Sequence, residues 1–352
     1  EWTVTPTTWT GHGPSEIDCG LAGTVMRFVP PIAALADADV FFDGDEHARV
    51  RPMSTIIEAL RSLGSDISDE GRGSLPFTVH GTGGLKGGIV EIDASASSQF
   101  VSALLLAGAR YDEGVDIRHV GKPVPSMPHI DMTIAQLRLR GVDVNDGEPN
   151  RWVVKPGPIA ALDTEIEPDL SNAGVFIAAA LVTRGRVRIR NWPEQTEQAG
   201  DRWRDFAAQF GAMVEAVDGD MIFTAGESLP GVHLDLHDEG ELTPVIAAVC
   251  ALADGPSQLT GIAHLRGHET DRLAALATEI NKLGGEVTEL DDGLAIKPRP
   301  LHGGVFSTYD DHRMAHTAVV LGLRTKDLFV ENVVTTVKTY PNFAPVWERL
   351  VT

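Results

Sequence analysis

NAGVFIAAALV, Asn172 to Val182, is an apolar run of helix length introduced by a polar residue. Four other segments repeat that signature: GTVMRFVPPIAAL, SQFVSALLLAG, TPVIAAVCALA and RMAHTAVVLGL. Aligned on Thr24, Ser98, Asn172, Thr243 and Arg313, the five are spaced 74, 74, 71 and 70 residues apart. A fixed period is the mark of a repeat architecture and outranks any single motif. A second series of helices is predicted to stop at Gly64, Gly141, Gly211 and Gly284, at intervals of 77, 70 and 73. Each stop glycine is followed by a strand-like stretch, SDI, VDV, AMV or GEV,. The repeat is therefore βαβαββ, a small α/β (α+β) unit of roughly seventy residues whose helices lie on one face and are buried against further copies. Five copies fit a two-domain arrangement of three repeats each with one repeat absent, and the opening EWTVTPTTWT reads as the tail of that missing first repeat. The Pro/Gly-rich VVKPGPIAAL places the boundary near Leu162 to Pro168, giving a first domain of residues 1–165 with two repeats and a second of 166–352 with three,.

At 352 residues the chain exceeds one ordinary core, in agreement with two domains,. Its net charge of −21 and the lack of any Lys/Arg-rich run argue against nucleic acid,. A few arginines gathered in one cleft can still create a local positive field. The longest apolar run, Pro244 to Ala253, is far short of a membrane span, and the start shows no signal-peptide pattern, so the expected location is the cytoplasm,. Cys19 and Cys250 read as inert core thiols. Trp152, Trp192 and Trp203 read as packing residues.

RGHETDRLAALATEINKLGG, Arg266 to Gly285, contains a helix with Leu273, Leu276, Ala277, Ile280 and Leu283 on one face and Thr270 as expected N-cap,. Arg272 in its first turn opposes the helix dipole by ~0.3–1 kcal/mol unless an anion lies close by. Pairing with Asp271 or Glu269 is the plainest account. If the repeats stack with their helix N-termini facing a common cleft, the residues there form one set: Thr24, Arg27, Arg51, Ser97, Ser98, Gln99, Ser126, Asp169, Glu241, Glu269, Arg272, Asp311, His312, Arg313 and Lys338. Arg51, Arg272, Arg313 and Lys338 suit phosphate and carboxylate groups, so the expected ligands are small, multiply anionic molecules. Glu241 and Glu269 are candidates for general acid and base. Structural roles compete for some members: Arg27, well inside its helix, reads as half of an ion pair, His312 as a cap or orienting group, His129 as a surface residue and Asp169 as an N-cap.

LAGTVMR (Leu21 to Arg27), Arg51-Pro52, DASASSQF (Asp93 to Phe100), HETDR (His268 to Arg272), YDDHRMA (Tyr309 to Ala315) and VKTYPNF (Val337 to Phe343) occur in this order. With these motifs the whole chain resembles the 5-enolpyruvylshikimate-3-phosphate synthase family. The resemblance implies two domains of three repeats that close over their ligands. It implies transfer of the enolpyruvyl group of phosphoenolpyruvate to the 5-hydroxyl of shikimate 3-phosphate with release of phosphate, by a monomer without metal or organic cofactor and a target of glyphosate. Under it, Gly23, Thr24, Arg51, Gln99, Arg272, Arg313 and Lys338 bind phosphoenolpyruvate. Ser97, Ser98, Gln99, Ser126, Glu241 and His268 bind shikimate 3-phosphate, with Arg27 and His312 in support. Glu241 removes the hydroxyl proton, while Glu269, aided by Lys338, protonates and later deprotonates the methylene carbon.

The chain departs from the family pattern in several places. His268 stands where many members have Lys, His264 where Asn is usual, His129 where Tyr is usual, Glu241 where Asp is common, and Phe28 where Pro often follows the arginine. The family's Pro-Gly-Ser-Lys-Ser segment belongs to the absent first repeat, so the chain as it stands is expected to be weak or inactive. Two other readings compete. One is the UDP-N-acetylglucosamine enolpyruvyl transferase, whose mobile loop commonly carries a cysteine unlike Cys19 or Cys250. The other is a non-catalytic repeat scaffold that binds anions.

Overall fold

The computed structural model describes Thr3 and residues 15–351, so EWTVTPTTWT, apart from Thr3, lies outside the described residues. The chain forms two compact units, Glu1–Asp163 and Thr164–Thr352. In the first, β1 (Ser15–Asp18), α1 (Gly23–Ala33), β2 (Asp39–Asp43), α2 (Ser54–Ser62), β3 (Asp66–Ser68) and β4 (Phe77–His80) make one repeat. Its sheet has the order β1-β2-β4-β3. β1 and β2 run parallel, as a crossover through a helix requires, and the last two strands are antiparallel,. The next repeat copies this: β5 (Gly88–Ile92), α3 (Gln99–Gly108), β6 (Val115–His119), α4 (Met127–Leu139), β7 (Val144–Glu148) and β8 (Arg151–Val154), in the order β5-β6-β8-β7.

The second unit opens with α5 (Leu170–Thr183), β9 (Arg186–Ile189), α6 (Trp203–Gln209), β10 (Met213–Val217) and β11 (Asp220–Thr224), a three-stranded sheet of order β10-β11-β9. A full βαβαββ repeat follows: β12 (His233–Asp235), α7 (Thr243–Ala251), β13 (Ser257–Thr260), α8 (Arg272–Lys282), β14 (Glu286–Leu290) and β15 (Gly293–Lys297), again ordered 1-2-4-3. The last repeat comprises β16 (Gly304–Phe306), α9 (His312–Gly322), parallel β17 (Leu328–Val330) and α10 (Phe343–Val351). The predicted repeat is thus present in full three times among the described residues. The third copy has no leading strand and the fifth lacks the final pair.

The predicted stop glycines owe their place to backbone conformation. Gly64, Gly141, Gly211 and Gly284 have φ of +106°, +79°, +83° and +92°, values that close a helix without the steric penalty a side chain would bring,. The starts in the second unit are held by carboxylates. Asp169, Asp271 and Asp311 accept hydrogen bonds from the backbone N–H of Asn172 (2.8 Å), Ala274 (3.1 Å) and Arg313 (2.8 Å),. Thr270 is therefore not the cap expected from the sequence. Asp271, one residue on, has the extended backbone and the acceptor that the position needs.

Each unit has its own core. In the second, α5, α7 and α9 are buried nearly all round, with Val175, Ile177, Ile246, Val249, Met314 and Leu321 essentially inaccessible. The Trp203 ring packs against Gly174 of α5, where a Cβ would come within 2.4 Å of its ring nitrogen. Trp152 and Trp192 are buried as well. Burial raises the Cys19 and Cys250 thiols to about 11 and about 12, so both rest protonated,. Among the described residues no helix is long and apolar enough to cross a membrane.

Candidate active site

In the second unit the helix-start residues converge on one guanidinium. Arg272, first residue of α8, is completely buried. Its Nε and Nη2 fork onto the Asp311 carboxylate at 2.7 and 3.2 Å. Nη1 donates to Glu241 Oε2 at 2.9 Å and Nη2 to Glu269 Oε2 at 3.1 Å, while His268 Nδ1 lies 3.1 Å from Nη1. Four carboxylate oxygens from three side chains thus accept from the guanidinium, an arrangement that lets a buried arginine keep its charge,. Burial works against that charge, but Asp311, Glu241 and Glu269 together hold the group well above its ordinary value. The anion sought for this helix end is neither Asp271 nor Glu269 alone. It is a set of three carboxylates drawn from three helix starts.

The carboxylates are tuned in turn. Burial would raise Glu241, yet Arg272, His268 and Arg313, whose Nε is 3.6 Å from Oε2, outweigh it and hold the group well below the usual range. Glu269 sits between Arg272 and Lys338, with Lys338 Nζ donating to its Oε1 at 2.7 Å. Burial and Glu241 push it up, and the two cations still hold it far below the ordinary value. The six charged groups, Arg272, Arg313, Lys338, Asp311, Glu241 and Glu269, balance three against three. Arg313 also donates to Asn172 Oδ1 at 3.4 Å, and Asn172 is itself held by Asp169 Oδ2 at 2.8 Å. His312 is buried beside Arg313 and Arg272, which with desolvation lower it to about 3, so it is a neutral ring,.

Two members occupy positions other than those expected. Lys338 is not at a helix start: it ends a 3₁₀ turn, Val333–Lys338, that delivers its ammonium to Glu269. Glu241 sits in the short 3₁₀ turn Gly240–Leu242 just ahead of α7.

In the first unit two smaller groups form. Arg27 Nη1 donates to Ser97 Oγ at 3.1 Å and Gln99 Oε1 at 2.9 Å, with the guanidinium 4.8 Å above the Phe100 ring. Its position inside α1 lets it reach the neighbouring repeat and orient two polar residues at the start of α3. Arg51, buried in the loop after β2, donates to the Leu21 carbonyl at 3.2 Å and lies against Gly23. A Cβ there would come within 2.8 Å of the guanidinium, so a side chain at this position would push the end of Arg51 aside. Thr24 is exposed one residue on, and Ser98 is buried beside Ser97. Ser126, before α4, is buried in a left-handed conformation with φ +55°, a strained position of the kind found at functional sites,.

Asp311, a member of the helix-start set, and Asn172, which the sequence left without a role, complete the picture. Asp311 is the main partner of Arg272, and its signal was the doubled acid of YDDHRMA. Asn172 braces Arg313, and its repeat-start position was the only hint. Among the described residues no group of three His, Cys, Asp or Glu side chains is placed to hold a metal ion.

The enolpyruvyl transferase NikO from Streptomyces tendae shares the fold, with a TM-score of 0.69 at 16% identity over 92% of this chain and 74% of that one. The family profile described as EPSP synthase (3-phosphoshikimate 1-carboxyvinyltransferase) matches residues 1–347. A 3-phosphoshikimate 1-carboxyvinyltransferase of Kocuria rhizophila is 57% identical over 339 residues, 96% of this chain and 76% of that protein. The solved EPSP synthase of Acinetobacter baumannii superposes with a TM-score of 0.74 at 26% identity, covering 95% of this chain and 78% of that one. The chain belongs to the EPSP synthase family.

Proposed function

We propose that the chain transfers the enolpyruvyl group of phosphoenolpyruvate to the 5-hydroxyl of shikimate 3-phosphate and releases phosphate, with the Arg272 cluster carrying the proton chemistry. The observation that carries this reading is the fixing of Glu241 and Glu269 on one buried guanidinium, with Lys338 on the outer oxygen of Glu269. Both carboxylates rest ionised, so in the resting enzyme the transferable proton of the Glu269–Lys338 pair is on Lys338. Phosphoenolpyruvate brings further negative charge. Its phosphate and carboxylate compete for Arg272, Arg313 and Lys338, and loss of those cations raises the affinity of Glu269 for a proton. Protonation of the methylene carbon then builds positive character at the carbon that bears the phosphate. The hydroxyl adds there as its proton passes to Glu241, and Glu269 takes back a methyl proton when phosphate departs. Arginines preset by Asp311 and Asn172 stabilise that departing charge without reorganisation.

Arg27 supports the shikimate 3-phosphate side by holding Ser97 and Gln99, with Ser98 and Ser126 beside them in sequence and strain. Arg51, Gly23 and Thr24 contribute to phosphoenolpyruvate. The buried, reduced thiols agree with a cytoplasmic setting. Phosphate release from phosphoenolpyruvate, with either shikimate 3-phosphate or UDP-N-acetylglucosamine as acceptor, tests the reading. Release that requires the shikimate ester supports it. Release only with the sugar nucleotide would move the assignment to the amino-sugar enzyme, and binding of phosphoenolpyruvate without release under any condition to the scaffold.

A further inference from the structure

We propose that His119 is a positioning residue for shikimate 3-phosphate: its ring fastens together the two loops that carry Ser97, Ser98 and Ser126 and lead into Gln99. This rests on the reading above that those residues meet that substrate. His119 is the last residue of β6, and its register partner Ile92 is the last residue of the parallel strand β5. The loops that follow, residues 93–98 and 120–126, therefore leave the same edge of the sheet. In sheets of this kind the carboxyl ends of the parallel strands are where ligands are met.

The ring lies between the two loops and is buried. Its Nδ1 accepts the backbone N–H of Ala94 at 3.1 Å, and its Nε2 lies 2.7 Å from the Lys122 carbonyl oxygen. A ring nitrogen that accepts an N–H bears no hydrogen, and one that meets a carbonyl oxygen bears one. Both contacts are made together by the neutral ring with its proton on Nε2. One imidazole thus serves a backbone donor of one loop and a backbone acceptor of the other. Ala94 is wholly buried, so without the ring its N–H would be left unpaired away from water,.

From these two points the constraint runs directly to the candidate ligands. The Ala94 carbonyl accepts the Ser97 N–H at 3.0 Å, which closes the turn that leads into Ser98 and α3. Arg27 holds the side chains of Ser97 and Gln99, and His119 holds the backbone in front of them. In the other loop, Pro123 and Pro125 each fix φ in the short stretch from Lys122 to Ser126, so anchoring the Lys122 carbonyl limits where Ser126 can lie,. Ser95 adds a second tie, with its Oγ donating to the Lys122 carbonyl at 3.0 Å and its N–H held by Asp93 Oδ1 at 2.9 Å. The loops touch closely enough that a Cβ on Gly121, whose φ is +130°, would come within 2.7 Å of both Asp93 Oδ1 and Ser95 Oγ.

The test compares His119→Asn, His119→Gln and His119→Leu with the wild type. The asparagine amide sets an acceptor near the place of Nδ1 and the glutamine amide a donor near that of Nε2, so each keeps one fastening, and leucine keeps neither. The Kd for shikimate 3-phosphate, measured by calorimetry, is expected to rise about 10-fold or more in His119→Leu, because loops left loose must be ordered at the binding step. The two amide variants should fall between leucine and the wild type. The KM for phosphoenolpyruvate at saturating acceptor should stay within about 2-fold throughout. An unchanged Kd in His119→Leu would overturn the proposal, and so would weakening of both substrates alike in step with a fall in Tm, the mark of a merely structural role. If the leucine variant does not fold, the amide variants decide by the same criteria. A wild-type protein without affinity for shikimate 3-phosphate would instead defeat the functional reading. The fastening is then judged by ¹⁵N NMR of the wild-type ring, which should show Nδ1 without hydrogen and Nε2 with it; a proton on Nδ1 would contradict it.

Discussion

Arg272 shows how a sequence rule becomes chemistry. A cation in the first turn of a helix is locally unfavourable, and the cost is recovered only because Asp311, Glu241 and Glu269 surround it,. Arg272→Gln therefore does double damage: it leaves three carboxylates without their cation, and destabilisation of ~3–5 kcal/mol is expected, measurable by chemical denaturation of the variant. A variant as stable as the wild type would mean that the carboxylates find other partners. Arg272 and its acidic neighbours were readable from HETDR, but the identity of the partners was not, because Asp311 is 39 residues away and only the fold brings it close. The Arg27 contacts with Ser97 and Gln99 were out of reach for the same reason, since those residues belong to the next repeat.

At the scale of elements, the glycines that end helices were legible because a backbone requirement leaves a residue type behind. Contacts between elements leave no such trace. Gly174, in the middle of α5, looks like a weak point where alanine should gain ~1 kcal/mol of helix propensity. The ring of Trp203 occupies the space, so Gly174→Ala is expected to lower stability by ~1–3 kcal/mol, and an increase in Tm would contradict this packing. The Asp69 turn is a second case. Arg61 and the N–H groups of Gly73 and Gly71 hold its carboxyl at about 2. Its folded value is below the unfolded ~3.9, so the stabilisation is present above pH ~4 and is lost as pH falls toward the folded value. Asp69→Asn should cost ~1–2 kcal/mol at pH 7 and little near pH 2; an equal cost at both would remove the carboxylate from the account. The 3₁₀ turns that carry Glu241 and Lys338 were beyond the sequence reading, since three or six residues are too few to show a period,.

For the molecule as a whole, the five-fold period gave the architecture, and the charge pattern pointed to small anions. It did not reveal that the second unit hides three neutral imidazoles. Burial and neighbouring cations or histidines lower His264 to about 4, His312 to about 3, and His316 well below its ordinary value. All three fold with depressed values, so as pH drops below ~6.5 the unfolded chain takes up protons that the folded chain refuses. Stability then falls with pH down to the folded values, by up to ~1.4 kcal/mol per pH unit for each histidine. The Tm of this unit should therefore decline between pH 7 and pH 5. His316→Leu, which removes a fully buried ring with no hydrogen-bond partner at either nitrogen, should make the decline shallower; an unchanged slope would show that these rings are not what couples stability to pH.

The central claim is that Glu269, poised between Arg272 and Lys338, moves a proton on and off the methylene carbon. Turnover in D₂O tests it most directly, by following deuterium at that carbon in product and recovered phosphoenolpyruvate for the wild type and Glu269→Gln. The wild type should incorporate deuterium during turnover, and the variant should lose exchange and turnover together by about 10²-fold or more. Exchange at an undiminished rate in Glu269→Gln, or none in an actively turning-over wild type, would contradict the account.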